Sequence, residues 1–189
     1  MKQTKIKKLK SLHPCNEAME WMEKQPSLKI AWETCERGDW MLWLLGNLSG
    51  EVGSKSRKQL VWTACQCARL SLKYVTEGEK RPLITIETAE KYTKGLATLQ
   101  EVRAAYADAY ANAVYISAAA AYAAATAAYA VYANDADGTY TAAAATYAAD
   151  ATADAAAKNK ILKQCANIVR ENYHKVPKLK WHEKSGKCI

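Results

Sequence analysis

The sequence predicts an all-α fold, a helical bundle with a long Ala/Tyr-rich antiparallel helical hairpin. Three observations carry that prediction. Apolar residues recur at helical spacing, as in Leu60, Ala64 and Cys67 or Val61, Ala68 and Leu72. Residues that start and stop helices punctuate these runs. The stretch "AAAAYAAATAAYAVY" at 118–132 is built almost wholly from the residue with the highest helix propensity. The sequence shows no paired strand runs and no internal repeat of about twenty to fifty residues.

Pro14 suits the first turn of a helix reaching about Lys24, where Gln25-Pro26 interrupts it. Ser27 can cap the next helix, and Gly38 can end it in a left-handed conformation. Asp39 can cap a third, "WMLWLLGNL", which is apolar nearly all round and so expected to be buried. "SGEVGSKS" reads as a loop. "RKQLVWTACQCARLSLKYV" then reads as one helix from Arg57 to Val75. Pro82 opens "LITIETAEKYTKG", which closes at Gly95; its β-branched start leaves room for a strand, but its acidic first turn and terminal glycine favour helix.

Thr98-Leu-Gln-Glu101 fits a capping box, so a long helix is expected from there to about Ala133. "NDADG" breaks it, and a second long helix is expected from about Tyr140 to Tyr173. The expected organisation is one domain over residues 1–189. It comprises a Trp/Cys-rich helical half at 11–97, the Ala/Tyr-rich hairpin at 98–174 and a basic, frayed tail at 175–189. Trp21, Trp32, Trp40, Trp43 and Trp62 are expected mostly in the core.

Within the hairpin, Tyr115, Tyr122 and Tyr129 are seven residues apart and drift slowly along one stripe, and Tyr140 and Tyr147 repeat the spacing. Alanine faces let helix backbones approach closely, with the tyrosines filling the gaps. An ice-binding face would need threonine every eleven residues, and only Thr141 and Thr152 are so placed. The stretch therefore reads as a structural hairpin.

Charge is unevenly spread over the chain, whose net value is +8. Between Ala104 and Ala157 there is no Lys or Arg but there are five carboxylates, Asp108, Asp135, Asp137, Asp150 and Asp154. This acidic, tyrosine-bearing segment, with Tyr140 among its contact residues, suits a positively charged protein partner such as a nuclease with a basic groove. The basic ends read as solvated tails, and direct nucleic-acid binding is the less favoured reading. No run is long and apolar enough to span a membrane, and no secretory signal is evident, so a cytoplasmic location in a bacterial host is expected.

No phosphate-binding loop, dinucleotide turn, nucleophile elbow or H-E-x-x-H pattern is present, and His13, His174 and His182 have no evident catalytic setting. The chain therefore reads as a non-enzyme. The alternatives are a small metal-dependent or Cys/His hydrolase and a nucleic-acid-binding helical protein. If the first two helices form a hairpin turning at Pro26, Cys15 and Cys35 lie at one end beside His13. Cys65 and Cys67 point about 200° apart on a helix, so one of them, Cys67, can add a further thiol. Such a set of soft ligands would suit tetrahedral zinc, although no spacing matches a finger or ribbon; the plainer reading is thiols packed as small hydrophobes. Arg37 in "ERGDW" can pair with a carboxylate such as Glu87.

The blocks "CNEAMEWME", "AWETCERGDWMLWLL", "TACQCARLSLKYV", "RPLITIETAEKYTKG", the Ala/Tyr hairpin and "LKQCANIVRENY" occur in this order. The order resembles the immunity proteins of the immunity-protein-five-like family over roughly Leu12 to Tyr173. The "CERGDWMLWLL" block is the most specific part of the likeness. The resemblance implies a non-catalytic protein of bacteria or their phages that neutralises an effector protein. The expected target is a toxin, or a defence nuclease of the CRISPR type inhibited by a phage-encoded protein.

Overall fold

The computed structural model describes residues 3–111, 118–133 and 138–179, and every regular element among them is helical. The order is α1 (Gln3–Lys10), α2 (Asn16–Glu23), α3 (Leu28–Thr34), α4 (Gly38–Leu48) and α5 (Lys55–Arg69). A 3-10 turn at Leu72–Tyr74 leads to α6 (Arg81–Thr93), α7 (Leu99–Ala111), α8 (Ala118–Tyr129), α9 (Thr139–Asp150) and α10 (Ala155–Asn172). No helix among the described residues is long and apolar enough to cross a membrane.

The alanine stretch forms the centre of the bundle. Helix α8 packs against α5, α6, α7 and α9, and seven of its alanines are buried. Four neighbours around one helix leave little radial room, and methyl side chains are what lets them all approach. Tyr122, Thr126 and Tyr129 form its one half-exposed stripe. Tyr129 meets Tyr140 and Tyr122 meets Tyr147, so α8 and α9 are antiparallel as the sequence predicts. Their junction at 134–137 lies outside the described residues.

The two long helices expected on either side of that junction are each two helices. Tyr106 meets Tyr129 and Tyr132 while Tyr110 meets Tyr122, so α7 lies antiparallel beside α8 rather than continuing into it. Folding α7 back covers a third side of α8, which one continuous helix would leave bare. Between α9 and α10 the break has a local cause. Asp154 takes an extended conformation and its carboxylate accepts from the Ala157 backbone N–H at 2.6 Å, starting a new helix.

Other boundaries follow their signals. Ser27 and Ser54 accept from the backbone N–H groups of Ile30 and Arg57, opening α3 and α5. Pro82 lies in the first turn of α6, so "LITI" is helix, and Gly95 ends the segment at φ 76°. The capping box is present: the Glu101 N–H donates to Thr98 Oγ1 at 3.2 Å, and the Thr98 N–H donates to the Glu101 carboxylate at 2.6 Å. Helix α5 stops at Arg69 instead of Val75, because the Ser71 hydroxyl donates back to the Ala68 carbonyl and the chain tightens into the 3-10 turn.

The basic N-terminus is helical rather than a free tail. Leu9 and Leu12, spaced to share a face, are buried in the core, and Lys8 Nζ donates to the Leu179 carbonyl at 3.4 Å. Residues of the Trp/Cys-rich half and of the alanine helices belong to one core, in which Trp32, Leu42 and Val61 join Ala124, Ala145 and Ile161. Thr141 ties the halves polarly, its buried hydroxyl lying 3.1 Å from the Leu42 carbonyl and 2.9 Å from that of Gly138. Arg57 is a buried cation the sequence reading overlooks. Its guanidinium donates to the Ala130 carbonyl at the C-terminal end of α8, where helix carbonyls lack partners, and to the Gly50 carbonyl. Burial pulls its pKa down.

Candidate functional site

Tyrosines at helical spacing on three antiparallel helices come together on one face. Rings of Tyr106, Tyr110, Tyr122, Tyr129, Tyr132, Tyr140 and Tyr147 form a connected network across α7, α8 and α9. Centroid separations run from 4.3 Å for Tyr129–Tyr140 to 6.1 Å for Tyr106–Tyr132, and all pairs but Tyr129–Tyr140 fall within the usual range of favourable ring pairs. Tyr110 is 53% and Tyr140 36% exposed, so the network opens to solvent at both its flanks. Arg103 lies over the Tyr132 ring at 5.1 Å. Burial raises the pKa of the Tyr106 and Tyr132 phenols. Tyr115 lies outside the described residues.

The described carboxylates among those expected to make the partner surface each meet a neighbour or a helix end. Asp108 is exposed on α7 near Arg81, whose guanidinium pKa is raised chiefly by its hydrogen bond to Glu79, with Asp108 adding a smaller attraction. Asp150 accepts from Lys158 at 3.0 Å, and Asp154 caps α10. Asp135 and Asp137 lie outside the described residues. The cation-free stretch of sequence thus receives cations from flanking elements, with Arg81, Arg103 and Lys158 folding against it. The cap makes a testable distinction: Asp154→Ala is expected to cost about 1 kcal/mol in chemical denaturation, and Asp154→Asn much less. A role for Asp154 in charge alone would make the two variants equal.

A second region forms around the "CERGDWMLWLL" block. A cavity of about 280 Å³ is walled by Trp21, Trp32, Trp40 and Trp43 with Met19 and Met22, and Cys15 and Cys35 also line it. Arg37 does not reach Glu87. It forks onto Asp39 at 2.9 and 2.7 Å, touches Glu17 at 3.2 Å and lies 4.3 Å above the Trp40 ring. Asp39 is therefore spent on Arg37 in the first turn of α4 and makes no side-chain cap. Arg170 on α10 donates to the terminal carbonyls of α3 at Trp32 and Cys35.

Of the residues expected to hold zinc, Cys15 and Cys35 reach this cavity. His13 is exposed at φ 57°, and Cys67 is buried with its thiol 3.9 Å from the Cys165 carbonyl on α10. Burial raises the Cys35 thiol pKa and pushes that of Cys67 well up, so both are neutral at physiological pH. Among the described residues no three His, Cys, Asp or Glu side chains gather in a group able to hold a metal ion. The tyrosine spacing was the legible signal for the face on α7–α9. Nothing local in the sequence marks the cavity, which arises from how α1, α2 and α3 close over α4.

No family model, no curated protein and no solved structure matches this chain.

Proposed function

We propose that this chain is a non-catalytic, immunity-type inhibitor that neutralises a bacterial effector protein by covering it with the tyrosine face of α7–α9. One observation carries the reading: seven tyrosine rings form a single network across three rigidly packed helices, exposed at Tyr110 and Tyr140. Tyrosine offers large amphipathic contact area at low entropy cost, and rings already held by their neighbours lose little freedom on binding. The block order that resembles immunity proteins supports the same reading. The candidate targets are a toxin and an RNA-guided defence nuclease in the bacterial cytoplasm.

The test is an activity titration. Each candidate effector is mixed with increasing amounts of this chain before substrate is added. Inhibition by occupancy predicts that activity falls linearly to near zero at one equivalent, without turnover or modification of the effector. Inhibition at a small fraction of an equivalent would point to catalysis and contradict the proposal.

A further inference from the structure

Trp62 stands apart from the other tryptophans expected in the core. Trp32 belongs to the core cluster and Trp21, Trp40 and Trp43 pack against it, whereas half-buried Trp62 lies outside that cluster. It lines a surface groove with Lys55 and Lys58 of α5 and Thr93 of α6. Two ammonium groups in this region sit on ring faces. Lys94 Nζ lies 4.6 Å from the Trp62 ring centroid, and Lys58 Nζ lies 5.6 Å from that of Tyr92. Among the described residues Lys55, Lys58 and Lys94 make no ion pair, and no carboxylate lines the groove. The ring faces under the ammonium groups are thus covered by flexible side chains rather than by a packed helix. A partner that draws off the lysines must bring them anions, and one that then covers the rings must bring flat faces. Single-stranded nucleic acid carries both in every nucleotide, a phosphate beside a base. A duplex has the phosphates but keeps its base faces stacked inside. An acidic peptide or an anionic bilayer has the charge without a flat ring at each step.

We propose that this groove binds single-stranded nucleic acid without sequence preference, with bases stacked on Trp62 and Tyr92 and phosphates on Lys55, Lys58 and Lys94. The site uses none of the tyrosines of the α7–α9 network, so it stands independently of effector binding. Binding of a labelled oligothymidylate to the full chain is measured by fluorescence anisotropy, with a duplex of the same length and polyglutamate as competitors. The strand is expected to bind with a Kd below about 100 µM at low salt. It is expected to bind about five-fold more tightly than the duplex. Each phosphate contact steepens the fall of log K with log salt by about 0.7, so a slope of about −2 is expected. Lys58→Gln/Lys94→Gln should flatten it to about −0.7. Trp62→Leu and Tyr92→Leu are each expected to weaken the strand about ten-fold with the salt slope unchanged. Two ring positions are used so that misfolding of one variant leaves the other. The proposal is overturned if the parent does not bind the strand, or if the duplex or polyglutamate binds as tightly. It is also overturned if the lysine variant or either ring variant, shown folded by circular dichroism, binds as the parent does.

Discussion

Gly38→Ala is expected to lower stability by about 3 kcal/mol or more, and Gly38→Val to prevent folding. A Cβ at this position would stand 2.3 Å from the Cys165 Cβ and 2.7 Å from the Ala166 backbone nitrogen, inside the space α10 already fills. Two of the three nearest atoms are backbone, so no side-chain rotation relieves the clash; α4 and α10 would have to separate. That separation would open the core around Leu42 and Ile161, which are fully buried in the same cluster. The sequence suggests a left-handed turn at Gly38, yet Gly38 is absent from the described positive-φ positions and opens α4. Close helix approach, not backbone handedness, is what requires glycine. Urea denaturation of Gly38→Ala measures the effect, and a loss under about 1 kcal/mol, the cost of an ordinary substitution, would contradict it.

Tyr129→Ala is expected to cost about 3 kcal/mol, while Tyr129→Phe should cost well under half of that. Its ring is the hub of the network, with Tyr140 at 4.3 Å, Tyr132 at 4.7 Å and Tyr106 at 5.4 Å. The helices around it present mainly alanine, whose methyl groups cannot swing into the space a lost ring leaves. Phenylalanine keeps the ring contacts and removes the hydroxyl alone. Thermal melts of the two variants compared with the parent decide the point. Equal loss in both would shift the weight from ring packing to the hydroxyl.

The sequence and the fold agree where a boundary has its own chemistry. Ser27, Pro82, Gly95 and the Thr98–Glu101 pair each act on the backbone within a few residues, so each was legible. The return of α7 along α8 was not, because an alanine-rich run without Pro or Gly reads as continuous helix by propensity; burying the alanine faces of α8 decides otherwise. Asp154 was a readable cap, since an Asp ahead of a helix-forming run is a common N-cap. The Leu9–Leu12 spacing held the signal for an ordered N-terminus, masked by the lysines around it. For the site, helical spacing announced the tyrosine face. The cavity was hidden because its walls come from separate helices and its charged pair, Arg37–Asp39, is settled by the turn into α4.

The central claim is that the tyrosine face is what occupies the effector. Its most direct test is the double variant Tyr110→Ala/Tyr140→Ala, which removes the two most exposed rings of the network and spares the Tyr129 hub. The concentration needed for half-inhibition is measured against the effector that the parent inhibits, with circular dichroism and a thermal melt on the same sample. The account predicts a rise of about 100-fold with the helices intact, the effect of losing two aromatic anchors from an interface. A folded double variant that inhibits as well as the parent would contradict it.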